Sequence, residues 1–172
     1  MKPSRVDILD TPSPRDLADI NALLPQTAAR PHLLSMKELQ RIIRQGAHCR
    51  LVVARHRRGK SMPIVGMASV TLSRIPTGLM AIIEDVVVEE SFQRRGLGRM
   101  MTEKLIDIAR KARAKHISLK TNPSYHAANA MYRQLGFVQR DANLYRINLT
   151  LPKPSSPAAV ARALGGRHRP EG

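Results

Sequence analysis

The sequence predicts a mixed α/β (α+β) fold, and three observations lead to this prediction. Apolar residues at helical spacing alternate along the chain with short, nearly continuous apolar runs that are typical of strands. Strands that can form a hairpin come early, and a β-α-β-α-β order follows them. The 172 residues are 42% hydrophobic and 24% charged, which is the composition and length of one globular domain with its own core.

One strand and two helices are predicted first. A strand near Arg5–Leu9 precedes the segment SPRDLADINALL, in which Ser13 can cap a helix and Pro14 suits its first position. The segment SMKELQRIIRQG is predicted as a second helix, because Ser35 and Glu38 have the spacing of a capping box. Both helices therefore have a defined start in the sequence.

Three strands are predicted in the middle of the chain. Leu51–Ala54 and Ile64–Leu72 can form a hairpin joined by the basic turn RHRRGKSMP. Leu79–Val88 is a longer strand, apolar on both faces except for Glu84 and Asp85. Because successive side chains of a strand point to opposite faces, we expect these two acids on opposite sides of the sheet.

A long helix and four shorter elements are predicted after this strand. From Leu97 to Ala112 the apolar residues recur at helical spacing. A strand, a short helix and a closing pair of strands follow at His116–Lys120, Tyr125–Gln134, Phe137–Val138 and Leu144–Leu149. The tail, PKPSSPAAVARALGGRHRPEG, is rich in Pro, Gly and Ala, which favours disorder. We therefore expect the folded domain to span residues 1–151 and the disordered tail to span residues 152–172.

The composition also limits the class of protein. No apolar run reaches the roughly 20 residues of a membrane span, and the N-terminus lacks the apolar region of a signal peptide, so we expect a cytoplasmic protein. The single cysteine, Cys49, has no partner for an internal disulfide or a metal site, so we expect a buried thiol and no bound metal. The net charge of +16 suggests an anionic partner, such as nucleic acid, an acidic surface or a polyphosphate cofactor, although a solvated basic surface has the same composition.

A glycine-rich loop lies at the junction between the long strand and the long helix. Its sequence, EESFQRRGLGRMM, places glycines and arginines at a helix N-terminus, where free backbone N–H groups favour an anion. Gly96 and Gly98 let the backbone approach a ligand closely, and the arginines can add charge-assisted hydrogen bonds. The third glycine of a dinucleotide-binding fingerprint is missing. A glycine-rich helix cap with exposed arginines is the alternative interpretation.

The loop in its context, VVVEESFQRRGLGRMM, resembles the pyrophosphate-binding loop of the GNAT superfamily of N-acetyltransferases, which bind acetyl-CoA. A second match is TNPSYHAANAMYRQLGF, in which an Asn and a Tyr three residues apart precede Leu-Gly-Phe. Both motifs occur in the family's order, and the resemblance covers roughly residues 5 to 150. It implies a central, mostly antiparallel twisted sheet with one parallel, splayed strand pair, flanked by helices.

The resemblance also implies roles for individual residues. The last residues of the long strand would pair through their backbone with the pantetheine amides, and the loop would wrap the pyrophosphate. The implied cofactor-binding residues are Val86, Val87, Val88, Arg94, Arg95, Gly96, Leu97, Gly98, Arg99 and Asn129. Tyr132 lies on the same helix face as Asn129 and would be the general acid that protonates the leaving thiolate.

Glu84 is the candidate general base. If it is buried within LMAIIEDVVV, its carboxyl has a raised pKa, which suits proton transfer. The I-E-D run resembles the glucosamine-phosphate acetyltransferase branch of the family, in which the first acid lies beside the amine. The alternatives are that Glu84 pairs with an arginine, or that it anchors the substrate amine while a water acts as the base. His126 could relay protons, or it could be a helix cap or a surface residue.

The sequence therefore predicts an acetyl-CoA-dependent N-acetyltransferase that acts by direct attack of a primary amine, on a small molecule or on a protein. A CoA-binding fold without turnover and a nucleic-acid-binding protein are the alternatives. The latter draws on the basic segment Arg55–Lys60 and the tail, but with 3% aromatic residues the chain has little on which bases can stack. The sequence does not define the acceptor or the oligomeric state, so a homodimer stays open.

Overall fold

The computed structural model of this chain describes residues 4–27, 32–147 and 149. Its strands form one five-stranded sheet in chain order. The strands are β1 (Ser4–Ile8), β2 (Cys49–His56), β3 (Ile64–Ile75), β4 (Gly78–Val88) and β5 (His116–Leu119). The α-helices in the described ranges are α1 (Pro14–Leu23), α2 (Met36–Arg44), α3 (Leu97–Lys111) and α4 (His126–Gln134). None of these described helices is both long and apolar enough to cross a membrane.

The sheet is antiparallel except at one edge. Strands β1 to β4 pair antiparallel, whereas β4 pairs in parallel with β5 through Met80–Ile83 and His116–Leu119. The predicted, mostly antiparallel sheet with one parallel pair is therefore confirmed. Strand β4 continues to Val88, and in the described part of the chain no strand pairs with its β5 side beyond Ile83. This edge of β4 is thus open from Glu84 onward.

Helices cover both faces of the sheet, as predicted. Helix α3 buries Leu97, Met101 and Leu105 against one face. Helices α1 and α2 bury Ile20 and Leu39 in a second apolar cluster. Neighbouring residues of β2 belong to the two different clusters, so the two helical layers lie on opposite faces.

Capping boxes confirm both predicted helix starts. The Ser13 hydroxyl accepts a hydrogen bond from the Asp16 N–H at 3.2 Å, and the Asp16 carboxylate accepts one from the Ser13 N–H at 2.9 Å. Ser35 and Glu38 repeat this arrangement at α2, where the hydrogen bonds from Ser35 lower the pKa of Glu38 to about 2. Asp16 also pairs with Arg55 at 2.7 Å, which ties α1 to the end of β2.

The chain divides into two compact units, residues 1–138 and 139–172, and all the helices and strands named above belong to the first. Residues 137–147 and 149 form neither helix nor strand, so the predicted strands Phe137–Val138 and Leu144–Leu149 are wrong within the described residues. Alternating apolar residues favour a strand, but a strand also needs a paired neighbour for its backbone groups. The predicted disorder of residues 152–172 lies outside the described residues.

Candidate functional site

The loop between β4 and α3 has a backbone shape that suits an anion. One turn of 3₁₀ helix, Glu90–Phe92, leads into the loop, and Gly96 is the N-cap of α3. Arg94 and Gly96 have left-handed φ angles of 60° and 78°. Left-handed residues within a turn can direct successive N–H groups towards a common point, as in concave anion-binding nests. The loop therefore has the shape expected for phosphate binding.

The start of α3 leaves backbone donors unused. The N–H groups from Gly96 to Arg99 donate no hydrogen bond within the described part of the chain, and no side chain caps the helix. Such N–H groups carry partial positive charge. A Cβ placed on Gly96 would meet no protein atom within 4 Å, so this side of the loop is open. An anion can therefore approach these donors directly.

The three arginines of the loop are held differently. Arg94 is exposed. Arg95 donates to the backbone carbonyl four residues before it at 2.9 Å. Arg99 is bound by Glu103 at 2.9 Å, so its guanidinium is already engaged by a side chain of α3. The side chain of Leu97 is buried, so this loop residue can contact a ligand only through its backbone.

The second sequence motif lies beside the first turn of α3. A Cβ built on Gly98 would lie 3.7 Å from Met131 Sδ in α4. One turn further, Arg99 Nη1 lies 3.4 Å from Gln134 Oε1. The fold therefore brings the two motifs together, although many residues separate them in the sequence.

Tyr132 is a buried residue of α4 with a raised pKa. The residue is 8% exposed, and its ring packs edge-on against Phe137 with 5.8 Å between the ring centres. Within the described residues, the Tyr132 hydroxyl makes no hydrogen bond to a protein group, and no buried side-chain polar atom lacks a partner there. Burial raises the pKa of Tyr132. The phenol is therefore protonated at neutral pH, as a proton donor requires.

Asn129 braces the start of α4. Its Nδ2 donates to the carbonyls of Asn122 and Tyr125 at 2.8 and 2.9 Å, so only its Oδ1 is left to bind a cofactor. Asn122 Oδ1 in turn accepts a hydrogen bond from the Ser124 N–H at 2.9 Å. Asn122 was not predicted as a site residue from the sequence, although an Asn two residues before a Ser is typical of an Asx turn. His126, the first residue of α4, is exposed.

Strand β4 contains a bulge at the candidate base. Glu84 pairs with Ser69 and Val87 pairs with Met67, so two residues of β4 stand opposite one residue of β3. Asp85, within this bulge, has a left-handed φ of 53°. The expectation that Glu84 and Asp85 point to opposite faces assumed a regular strand, and it no longer follows once the alternation is interrupted.

The register after the bulge decides which valine backbones face the open edge. The Glu89 N–H donates to a carbonyl of β3 at 2.8 Å. Because consecutive residues of a strand direct their backbone groups to opposite edges, Val87 also faces β3, whereas Val86 and Val88 face the open edge. The Val88 carbonyl accepts a hydrogen bond from Gln93 Nε2 at 3.0 Å. Two of the three predicted valines thus have the orientation that backbone pairing with a ligand needs.

Two carboxylates lie at the bulge, near a buried thiol. Glu84 and Asp85 are exposed, so Glu84 is not the buried carboxylate that the apolar run LMAIIEDVVV suggested. Cys49 in β2 is buried, as predicted, and this burial, together with the two carboxylates, raises the pKa of its thiol. An amine that arrives at the bulge would therefore meet negative charge. Within the described residues, no group of His, Cys, Asp and Glu side chains could hold a metal ion.

A family model and a curated relative match this chain. The model of the Acetyltransferase (GNAT) family matches residues 17–137. The ribosomal protein bS18-alanine N-acetyltransferase of Salmonella typhimurium is 42% identical over 57 residues. That match covers 33% of this chain and 38% of the Salmonella protein, so it spans well under half of the relative's length.

Solved structures match over most of the chain. An acetyltransferase of Trypanosoma brucei has a TM-score of 0.69 and 26% identity, covering 86% of this chain and 100% of that one. Glucosamine-6-phosphate N-acetyltransferase from Arabidopsis thaliana also has a TM-score of 0.69, with 18% identity and coverage of 85% and 99%. At 18% identity the second likeness shows the fold alone.

Proposed function

The chain belongs to the GNAT family of acetyltransferases, and we propose on this basis that it transfers the acetyl group of acetyl-CoA to a primary amine. The observation that carries the proposal is the row of backbone donors from Gly96 to Arg99. This row lies at the end of the open edge of β4 and beside α4, the helix that carries Tyr132. A ligand with a diphosphate, an extended arm and a thioester fits this order of features.

The phosphate groups of acetyl-CoA would be held by the loop. The N–H groups from Gly96 to Arg99 would bind diphosphate oxygens, and Arg94 would add charge-assisted hydrogen bonds. The arm would run along Val86 and Val88, whose backbone groups face the open edge of β4. Asn129 would accept one hydrogen bond through its Oδ1.

The acetyl thioester is the reactive group that acetyl-CoA supplies. A primary amine of pKa about 10.4 is mostly protonated at neutral pH, and its deprotonation there costs about 4–5 kcal/mol. We assign the removal of this proton to Glu84, directly or through a water, because its carboxylate is exposed where β4 and β5 part. As the nitrogen–carbon bond forms and the carbon–sulfur bond breaks, Tyr132 donates its phenolic proton to the leaving sulfur. A backbone N–H on the open edge of β4 stabilises the negative charge on the acetyl oxygen.

The acceptor is proposed to be a primary amine of a small molecule or of a protein. The carboxylates of Glu84 and Asp85 attract an ammonium group, whereas the net charge of +16 disfavours an acceptor that carries many positive charges. The Salmonella relative is named for an alanine of a ribosomal protein, so ribosomal proteins belong in the first panel of acceptors.

Calorimetric titration of the full chain with acetyl-CoA tests the first step of this proposal. We expect saturable binding at one site with a Kd on the order of micromolar, followed by thiol release with at least one amine of the panel. No binding at moderate salt would refute the proposal and leave the loop as a basic helix cap. Binding without thiol release for every amine would instead favour a CoA-binding fold without turnover.

A further inference from the structure

The turn between β2 and β3 contacts the phosphate loop. Arg58 in this turn places its guanidinium carbon 4.9 Å from the centre of the Phe92 ring. Its Nη2 donates to Glu89 Oε1 at 3.1 Å, across 31 residues of sequence. The chemistry proposed above gives Arg58 no role, although the contact brings its positive charge next to the cofactor loop.

Phe92 forms a cation–π pair with a second arginine as well. The guanidinium carbon of Arg95 lies 5.0 Å from the same ring centre, so the two guanidinium carbons are within about 10 Å of each other. Phe92 is only 6% exposed, and a buried ring holds both cations in defined positions. In the described part of the chain, Arg58 donates to both carboxylate oxygens of Glu89 and Arg95 donates to one backbone carbonyl, each through its Nη2 alone. Since a guanidinium has five N–H donors, most of them are left for a ligand.

The position of Arg58 and Arg95 along β4 determines which part of the cofactor can reach them. A strand advances about 3.3 Å per residue, so Glu84 and Val88 lie about 13 Å apart along β4. The proposed base, Glu84, is at one end of this stretch, and Arg58 lies beyond the other end, at Glu89. A cofactor bound in the proposed direction therefore has its nucleotide near Arg58 and Arg95, and its acetyl group far from them.

We propose that Arg58 and Arg95 bind the 3′-phosphate of coenzyme A, an inference that rests on the proposed function. This phosphate is a monoester with a charge of about −1.5 to −2 at neutral pH. It is attached to the ribose, just beyond the diphosphate that the start of α3 would receive. Guanidinium groups match phosphate oxygens in both charge and geometry. The basic turn of the β2–β3 hairpin thus selects the nucleotide of the cofactor and takes no part in the chemical step.

Two cofactors that differ by this one phosphate provide the test. The full-length wild type, Arg58→Gln and Arg57→Gln are titrated with CoA and with 3′-dephospho-CoA. Arg57 is the matched control, because it is exposed, lies in the same turn and forms no cation–π pair with Phe92 among the described residues. We expect the wild type to prefer CoA by about tenfold, Arg58→Gln to reduce this preference to about twofold by weakening CoA alone, and Arg57→Gln to keep most of it.

The outcomes separate this inference from the proposed function. A wild type that binds neither ligand would overturn the proposed function and this inference with it. Equal affinity of the wild type for both ligands, or a preference that survives Arg58→Gln, would overturn the 3′-phosphate subsite alone. An equal loss of affinity for both ligands in Arg58→Gln would also overturn the subsite, because Arg58 would then only support the loop. Arg58→Lys keeps a cation in the turn, should retain part of the preference, and replaces the Gln variant if that variant does not fold.

Discussion

Replacing Gly66 by alanine tests how closely α3 and β4 pack on β3. A Cβ at this position would lie 3.1 Å from both Met101 Cε and the Val87 carbonyl oxygen. The backbone of Gly66 is not left-handed, so alanine gains about 0.4–1 kcal/mol from the lower entropy of the unfolded chain. Against this gain, Met101 is fully buried and the Val87 oxygen belongs to β4, so neither moves without disturbing the core. Overpacking of this kind costs about 1–3 kcal/mol, and we expect a net loss of about 1–2 kcal/mol.

Thermal unfolding followed by circular dichroism measures this loss. In a protein of this size 1 kcal/mol shifts the Tm by about 2–4 °C, so Gly66→Ala should unfold about 2–8 °C below the wild type. Gly98→Ala is the matched control, because its Cβ would meet only Met131 Sδ at 3.7 Å, an ordinary contact. Alanine is favoured over glycine within a helix by about 1 kcal/mol, so the control should unfold at or above the wild-type Tm and yet bind acetyl-CoA more weakly. A Gly66→Ala protein with an unchanged or higher Tm would show that the three elements do not pack as closely as described.

Three further predictions concern catalysis, the cofactor loop and pH. Tyr132→Phe should leave the Kd for acetyl-CoA within about twofold and lower kcat by about 10²–10³-fold, because only a proton donor is removed; equal losses in binding and turnover would contradict that role. Gly96→Glu should abolish acetyl-CoA binding in calorimetry without unfolding the protein, since its carboxylate would occupy a phosphate site and a φ of 78° disfavours a side chain; wild-type affinity would exclude the loop as the binding site. The pKa of Glu38 is lowered from 4.5 to about 2 in the folded state, so its cap stabilises the protein above about pH 4.5 and this contribution is lost as the pH falls towards 2. The Tm of Glu38→Gln should therefore fall less than the Tm of the wild type between pH 4.5 and 2. An equal fall of Tm in both proteins would rule out the contribution of the cap.

The features that sequence predicts well here depend on residues close together in the chain. The capping boxes at Ser13 and Ser35 require only a partner three residues later, and both are present. The loop before α3 is similar, because a strand, Gly96 and a helical stripe follow one another directly. The parallel pairing of β4 with β5 joins residues far apart in the chain, and it was expected only because the sequence resembles the GNAT family.

Features that depend on pairing between distant segments could not be predicted in the same way. The bulge at Asp85 depends on the register between β4 and β3, whereas the sequence of β4 alone predicts a regular strand. The basic turn that holds Arg58 was visible in the sequence, but its contact with Phe92 exists only once the sheet has formed. Asn129 was predicted to bind the cofactor, whereas its amide is held by a turn that begins seven residues earlier, at Asn122.

The bulge in β4 has a consequence for how reliably the protein presents its binding edge. Residues 86–88 are three identical valines, so a slip of one position would leave the core as apolar as before. The slip would nevertheless turn the middle valine, instead of the outer two, towards the open edge. Burial of apolar side chains therefore does not favour one register of β4 over the other. Polar contacts on either side of the valines must fix the register instead. The Ser69 hydroxyl donates to the Glu84 carbonyl at 3.2 Å before the valines, and the Glu89 N–H bonds to β3 at 2.8 Å after them. A chain that lost these two anchors could stay folded and stable and still offer the wrong backbone groups to its ligand.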